Sequence, residues 1–264
     1  MPRLRMPRRG VLRVLPLPIF CRSWCAPREA QGGAVKVIGL IGGMSWESSI
    51  EYYRLINEAT RARLGGLHSA KSLMVSVDFA EIERLQHHGR WEDAARMLTA
   101  AAAALESGGA EVLVLCTNTM HKVAEEIQAG VGIPLLHIAD AAAQRVRASG
   151  IRTVGLLGTR FTMEEDFYTS RLSNTYGLNV KIPDAGARQA IHRIIYDELV
   201  VGKVRPQSKA RYVGIIENLV RQGAEGVILG CTEIGLLVHA EDSPVPLFDT
   251  TRIHAEAAVE YAFA

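Results

Sequence analysis

Two segments of this chain carry the same pattern, which reads GAEVLVLCTNT at residues 109–119 and GAEGVILGCTE at residues 223–233. Each begins with Gly-Ala-Glu, continues as an unbroken apolar run and ends in small polar residues. Such a run is typical of a strand that is buried on both faces of a parallel sheet. Each segment also follows an amphipathic helical stretch, at 91–107 and 205–222. The repeat predicts two copies of one α/β unit.

A second pair of apolar runs, at residues 35–41 and 153–157, supports the duplication. Each is followed by a glycine turn and a helix-like stretch, which is the βα unit of a parallel sheet. The central glycine of each run precedes the next Gly-Ala-Glu motif by 70 residues in the first half and 68 in the second. Ligands of parallel sheets bind beyond the carboxyl ends of the strands. We therefore predict an α/β fold of two similar domains, with the functional site in the cleft between them.

Charge is concentrated at the amino end of the chain. Residues 1–34 contain seven arginines and one acidic residue, so they carry +6 although the whole chain carries +2. They also hold five of the ten prolines and show no helical or strand period. We interpret residues 1–34 as a non-globular extension; an organellar transit peptide and a stretch ahead of the true translation start are open alternatives. The remaining residues carry −4, which argues against a nucleic-acid partner.

Cysteine usage and hydropathy indicate the compartment. Cys21 and Cys25 have no second pair nearby, so we predict no metal site there. The rest of the chain has only two cysteines, Cys116 and Cys231, which lie far apart in the sequence. So low a cysteine content suits a reducing compartment. No apolar run approaches the ~18 residues that a membrane span needs. We expect a cytoplasmic protein without a membrane partner.

The two cysteines of the body are not equivalent in the repeat. A gapless alignment of the repeated segments pairs Thr117 with Cys231 and Cys116 with Gly230. Successive strand side chains point to opposite faces, so Cys116 and Thr117 cannot both face the cleft in the same way. Cys231 precedes an expected helix start, where N–H groups and the helix dipole would favour a thiolate. A buried inert cysteine is the alternative.

Six motifs resemble, in the same order, those of the aspartate/glutamate racemase family. They are GLIGGMSWES (39–48), YYRLIN (52–57), LCTNTMHKVA (115–124), LGTRFTMEEDFY (157–168), GCTEIGLL (230–237) and FDTTRIHAEAAV (248–259). The resemblance covers residues 35–264 and looks closest to the bacterial L-aspartate/glutamate-specific or broad-specificity amino-acid racemases.

This resemblance implies two α/β domains related by a pseudo-twofold axis, with the active site in the interdomain cleft. We expect domain 1 at residues 35–145, with the C-terminal segment 248–264 packing back on it, and domain 2 at residues 146–247. It further implies an amino-acid substrate, a homodimer, and catalysis without pyridoxal phosphate, metal or nucleotide.

In the family that the chain resembles, two residues flank the substrate α-carbon and exchange its proton from opposite faces. They are usually cysteines, in Cys-Asn-Thr and Gly-Cys-Thr motifs. Here the second motif matches at Cys231, whereas Thr117 occupies the cysteine position of the first. An unperturbed thiol has a pKa near 8.5 and a hydroxyl is far less acidic. We therefore expect Cys231 to take the α-proton of the L-substrate and Thr117 to return a proton.

Further residues are expected to bind the substrate. Gln86 lies where related racemases place a binder of the side-chain carboxylate, and Glu198 lies where some relatives carry a lysine. Neither residue is positively charged, so the resemblance leaves less acidic substrates open beside aspartate and glutamate. The expected substrate-binding residues are Met44, Gln86, Asn118, Thr119, Thr232 and Glu233.

The sequence leaves two other functions open. One is a different reaction of the same superfamily, as in hydantoin racemase, maleate isomerase or an arylmalonate-decarboxylase-like enzyme. The other is a catalytically weak amino-acid-binding protein, in which Thr117 marks lost activity.

Overall fold

Two four-stranded parallel sheets lie at the centre of the computed structural model, which describes residues 35–264. The expected extension at residues 1–34 lies outside the described residues. The first sheet has the strand order β2-β1-β3-β4 and the second the order β6-β5-β7-β8. The strands are β1 (Ile38–Gly42), β2 (Ser72–Ser76), β3 (Val112–Leu115), β4 (Leu135–Leu136), β5 (Thr153–Gly158), β6 (Asn179–Lys181), β7 (Gly226–Gly230) and β8 (Leu247–Asp249).

Helices connect the strands and cover the two sheets. None of those in residues 35–264 is long and apolar enough to cross a membrane. They are α1 (Trp46–Leu64), α2 (Phe79–His87), α3 (Trp91–Ser107), α4 (Ala124–Ala129), α5 (Ile138–Ala148), α6 (Arg160–Glu164), α7 (Asp166–Ser170), α8 (Ala185–Asp197), α9 (Pro206–Arg221) and α10 (Thr250–Ala262).

The two sheets are built in the same register, which confirms the predicted duplication. Gly39 of β1 pairs with Leu113 of β3, and Gly155 of β5 pairs with Val227 of β7. Leu113 and Val227 are also equivalent in the sequence alignment of the repeat. Both central glycines lie in close packing, because a Cβ atom would lie only 2.8 Å from the Ala110 side chain at Gly39 and 2.8 Å from the Leu219 side chain at Gly155.

The repeated Gly-Ala-Glu motif has a structural purpose. Its glycine has a positive φ in both copies, 97° and 95°, where glycine is favoured. Its glutamate then reaches the start of the neighbouring strand. The Glu111 carboxylate accepts a hydrogen bond of 2.8 Å from the Val37 N–H, and the Glu225 carboxylate accepts one of 2.8 Å from the Thr153 N–H. The motif thus ends a helix and aligns two central strands.

The C-terminal helix packs on the first sheet. Ala255, Ala258 and Val259 of α10 share a buried cluster with Ile38 and Leu40 of β1. Strand β8, directly before this helix, is the edge strand of the second sheet. Helix α5, which spans the expected boundary at residues 145 and 146, packs into the core of the second sheet. The exact domain limits stay predictions.

Candidate active site

The carboxyl ends of β3 and β7 open onto one pocket of about 330 Å³, including its mouth. Thr117 follows β3 and Cys231 follows β7, so each sheet supplies one of the two expected proton-transferring residues. All eight residues that were expected to be catalytic or substrate-binding line this pocket. The structure therefore brings them together, while their individual roles stay predictions.

Cys231 lies beside a carboxylate. Its Sγ atom donates to Oε2 of Glu233 over 3.0 Å, and both side chains are buried. Burial, and next the negative charge of Glu233, raise the pKa of the Cys231 thiol well above its ordinary value. The expected helix start is wrong, because residues 234–236 form only a 3₁₀ turn. The thiol is thus protonated at neutral pH in this state of the pocket, not poised as a thiolate.

Glu233 is held by hydrogen-bond donors from both halves of the chain. Its Oε2 accepts from the Thr232 hydroxyl at 2.8 Å, and its Oε1 accepts from the Ser45 hydroxyl at 2.9 Å. Ser45 is the N-cap of α1, directly after the first-sheet glycine turn. Charge-assisted hydrogen bonds of this kind fix a carboxylate in one orientation. Glu233 therefore faces Cys231 rather than the solvent.

A buried histidine, His121, holds the backbone of Thr117. Nε2 of His121 accepts the Ile138 N–H at 3.1 Å, so its Nδ1 carries the proton and donates to the Thr117 carbonyl over 2.7 Å. Burial lowers the pKa of His121 well below its ordinary value, which keeps this ring neutral. The Thr117 hydroxyl forms no hydrogen bond with another residue of the described range 35–264, so it is available to a ligand.

His121 belongs to a group of three histidines, of which His121 and His254 are buried and His137 is half-buried. Its ring centroid lies 4.5 Å from that of His137 and 5.8 Å from that of His254. Nε2 of His254 donates to the Leu136 carbonyl, and its Nδ1 accepts from the Tyr52 hydroxyl, both at 2.9 Å. Burial lowers the pKa of His137 to about 3 and that of His254 to about 4. The three rings are therefore uncharged at neutral pH, and through His121 they contact the backbone of the pocket residue Thr117.

The side chains of Asn118 and Thr119 are engaged with the protein. The Asn118 amide donates to Thr250 and accepts from Tyr168, each at 3.0 Å. The Thr119 hydroxyl pairs with that of Thr159 at 2.9 Å. Residues 119–123 form a 3₁₀ turn ahead of α4. These side chains shape the pocket, and only their remaining donors and their backbone groups are available to a substrate.

An aromatic wall closes another side of the pocket. The Tyr196 hydroxyl donates to Oε1 of Gln86 over 3.0 Å, and the Tyr196 ring stacks on Phe79 with centroids 6.4 Å apart. Sequence reasoning missed Tyr196, although it singled out Glu198 in the same stretch. Glu198 does not line the pocket; its carboxylate accepts a hydrogen bond from Ser208 instead. The lining residues that were missed are Phe79, Thr159, Ile195, Tyr196 and Val200.

Within residues 35–264, no group of three or more His, Cys, Asp and Glu side chains is arranged to hold a metal ion.

Comparison with known proteins assigns the chain to a protein family. The family model described as Asp/Glu/Hydantoin racemase matches residues 41–258. Among curated relatives, the broad specificity amino-acid racemase RacX of Bacillus subtilis (strain 168) is 23% identical over 165 residues, which cover 60% of this chain and 67% of RacX.

Solved structures agree over nearly the whole described range. The crystal structure of an Asp/Glu racemase candidate from Yersinia pestis is 56% identical, with a TM-score of 0.81, and the match covers 87% of this chain and 100% of that one. An aspartate racemase homologue from Pyrococcus horikoshii OT3 is 36% identical, with a TM-score of 0.75, and the match covers 86% of this chain and 99% of that one.

Proposed function

The chain belongs to the Asp/Glu/hydantoin racemase family of isomerases, and from this premise we propose that it racemises amino acids by cofactor-independent proton transfer at Cα. The observation that carries the proposal is the placement of Thr117 and Cys231. They follow equivalent strands of two duplicated sheets and line the same pocket. Two proton-carrying groups on opposite sides of one substrate carbon are what inversion at that carbon requires.

On the Cys231 side, Glu233 is the proton acceptor. The thiol proton moves to the Glu233 carboxylate, 3.0 Å away, and the thiolate so formed removes the α-proton of the L-substrate. The electron pair of the broken C–H bond remains on the substrate as a carbanion. Glu233 thus offsets the high pKa of the buried thiol, since the two groups share one proton within the pocket.

On the Thr117 side, the hydroxyl gives its proton to the opposite face of the carbanion. Thr117 then recovers a proton through water or a neighbouring group, and Glu233 releases to water the proton that it took from the thiol. The free hydroxyl of Thr117 and its backbone anchor on His121 support this role. The reverse cycle needs Thr117 as the base and is slow. Enantiomers have equal free energy, so kcat/KM is equal in the two directions and the asymmetry is confined to the separate kcat and KM values.

Aspartate and glutamate are the substrates that the resemblance implied, with a broader set as the alternative. RacX, a relative, is described as having broad specificity. The two possibilities differ in one chemical property, a second carboxylate on the substrate, which the lining of the pocket can discriminate.

Proton exchange tests the proposal directly. The full chain is incubated in D₂O with single L-amino acids, and loss of the α-proton is followed by NMR beside a Cys231→Ala variant. We expect exchange that disappears in the variant, followed by appearance of the D-enantiomer. Exchange with none of the amino acids would reject the racemase and favour the two alternatives, a binding protein or another reaction of the superfamily.

We also propose a cytoplasmic homodimer. Trp46, Ile50 and Tyr53 are large apolar side chains exposed on one face of α1, and they support burial against a second copy of the chain. Sedimentation equilibrium of the wild type and of an Ile50→Arg variant tests this. A monomeric wild type would reject the dimer.

A further inference from the structure

We propose that this pocket selects amino acids with neutral side chains over aspartate and glutamate, an inference that rests on the racemase function proposed above. Across the described residues, the pocket lining contains one carboxylate, that of Glu233, and no Lys, Arg or His side chain. The lining therefore offers a substrate no positive charge.

The electrostatic argument concerns the second carboxylate alone. Every amino acid brings an α-carboxylate and an α-ammonium group, and these contributions cancel when two substrates are compared. Aspartate or glutamate would bring a further negative charge into a buried site that already holds the Glu233 carboxylate. An unpaired carboxylate loses its hydration on burial and is repelled by a like charge nearby. A neutral side chain of the same size incurs neither cost.

The wall of the pocket is built for neutral groups. Nε2 of Gln86 donates to the sulfur of Met120 at 2.9 Å, and Oε1 accepts from Tyr196. A thioether sulfur accepts hydrogen bonds but cannot donate them, so the amide nitrogen must be the group that faces Met120. The second N–H of Gln86 and a lone pair of the Tyr196 oxygen remain for a substrate. Phe79 and Ile195 add apolar surface beside them.

Basic side chains do occur near this wall, but outside the lining. The rings of His87 and His192 contact the Tyr196 ring, with centroids 5.7 and 4.7 Å away. Burial, and next the positive charge of Arg160, lower the pKa of His192, so this ring is neutral at physiological pH. Arg160 itself is exposed and does not line the pocket.

Matched substrate pairs test this inference separately from catalysis. Calorimetric titration of a full-length Cys231→Ala variant with L-Asn against L-Asp, and with L-Gln against L-Glu, measures preference without turnover. α-Proton exchange by the wild type with the same four amino acids measures turnover. We expect the neutral member of each pair to bind at least about tenfold more tightly, because only the acidic member buries an unpaired charge.

Adding a positive charge to the pocket wall should abolish the preference for neutral substrates. Gln86→Arg introduces a positive charge at the wall, and Gln86→Met is the uncharged control. Val200→Lys provides the same test at a half-buried lining position if Gln86→Arg does not fold. We expect the neutral-to-acidic ratio to fall by at least about tenfold in the charged variants and to persist in Gln86→Met.

The outcomes separate the two proposals. Equal or tighter binding of Asp and Glu overturns the neutral preference, even if exchange proves the racemase. A neutral preference in binding without exchange of any substrate rejects the racemase and leaves the specificity standing. Binding of none of the four overturns the neutral preference, and the exchange experiment then decides the racemase by itself.

Discussion

The Sγ atom of Cys231 and the Oε2 atom of Glu233 lie 3.0 Å apart in a buried pocket, and Ser45 and Thr232 hold the carboxylate in that position. The carboxylate therefore has two opposing effects. Its charge raises the pKa of the thiol, and its oxygen accepts the proton that the thiol must lose. A base with a high pKa can serve catalysis when its proton acceptor is already in contact.

A Glu233→Gln variant should separate the effect of Glu233 on the thiol pKa from its role as the proton acceptor. Removing the negative charge lowers the pKa of Cys231, so alkylation of this thiol by iodoacetamide should begin at a pH lower by about one unit. Peptide mass spectrometry measures the fraction of Cys231 that is alkylated at each pH. α-Proton exchange should nevertheless fall by at least about 10²-fold, because the proton acceptor is lost. A Glu233→Asp variant should recover part of the exchange. If alkylation of Cys231 begins at the same or a higher pH in Glu233→Gln, the carboxylate does not raise the pKa of this thiol.

The two buried cysteines should respond differently to the same substitution. Cys116 faces the core beside Tyr52, whereas Cys231 lines the pocket. Cys231→Ala should lower the rate of α-proton exchange by at least about 10³-fold with little loss of stability. Cys116→Ala should leave the exchange rate within about threefold and lower the free energy of unfolding by about 1–2 kcal/mol, because it leaves a small cavity. Equal loss of exchange in both variants would show that the effect is structural.

The sequence was informative about the strands because they are buried on both faces and carry unbroken apolar runs. The repeat also paired Thr117 with Cys231 as equivalent positions, by alignment alone. It could not show how strongly the pKa of Cys231 is raised, because that depends on burial and on Glu233, which Ser45, 188 residues from Glu233 in the chain, helps to hold. Nor could it place Tyr196 in the pocket, since the rotation of α8 is set by tertiary packing. The missed features all depend on contacts between distant segments.

Thr117 should be required for inversion but not for proton removal. In a Thr117→Val variant, Cys231 can still take the α-proton of the L-substrate and return a deuteron to the same face. The ratio of inversion to deuterium incorporation should therefore fall by about 100-fold, measured by chiral chromatography and NMR on one sample. Thr117→Ser restores the hydroxyl and should restore the ratio. An unchanged ratio in Thr117→Val would exclude Thr117 as the proton donor.

The buried histidines should make the fold sensitive to mild acid. His121, His137 and His254 have lowered pKa values in the folded state, whereas an unfolded histidine titrates near 6.5. Below that pH the unfolded chain binds more protons, so the free energy of unfolding falls as the pH drops from about 6.5 toward 4, by up to about 4 kcal/mol per pH unit. Urea denaturation across this range measures the slope.

Two substitutions distinguish this source of acid sensitivity. His254→Gln removes one buried ring and should reduce the slope by about a third. His68→Gln removes an exposed ring that packs against none of the three, so the slope should be retained. A slope that is unchanged in His254→Gln would assign the acid sensitivity to other groups.

The turn after β1 should tolerate no side chain at Gly43. This glycine has a φ of +92°, and its N–H donates to the Ser49 hydroxyl at 2.8 Å. A Cβ atom there would overlap the backbone of Val77, so Gly43→Ala must displace the loop that carries Met44 and Ser45. We expect it to lower the free energy of unfolding by more than about 3 kcal/mol and to impair α-proton exchange in whatever fraction remains folded.

Gly65 provides the matched control for that substitution. It also has a positive φ, +74°, but nothing lies within 4 Å of the position of its Cβ. Gly65→Ala should therefore cost only the backbone strain of an L-residue at φ 74° and ψ −175°, about 1–3 kcal/mol, and leave exchange intact. Urea denaturation of both variants gives the comparison. Equal losses of stability would show that positive φ alone, and not contact with Val77, determines the requirement for glycine at residue 43.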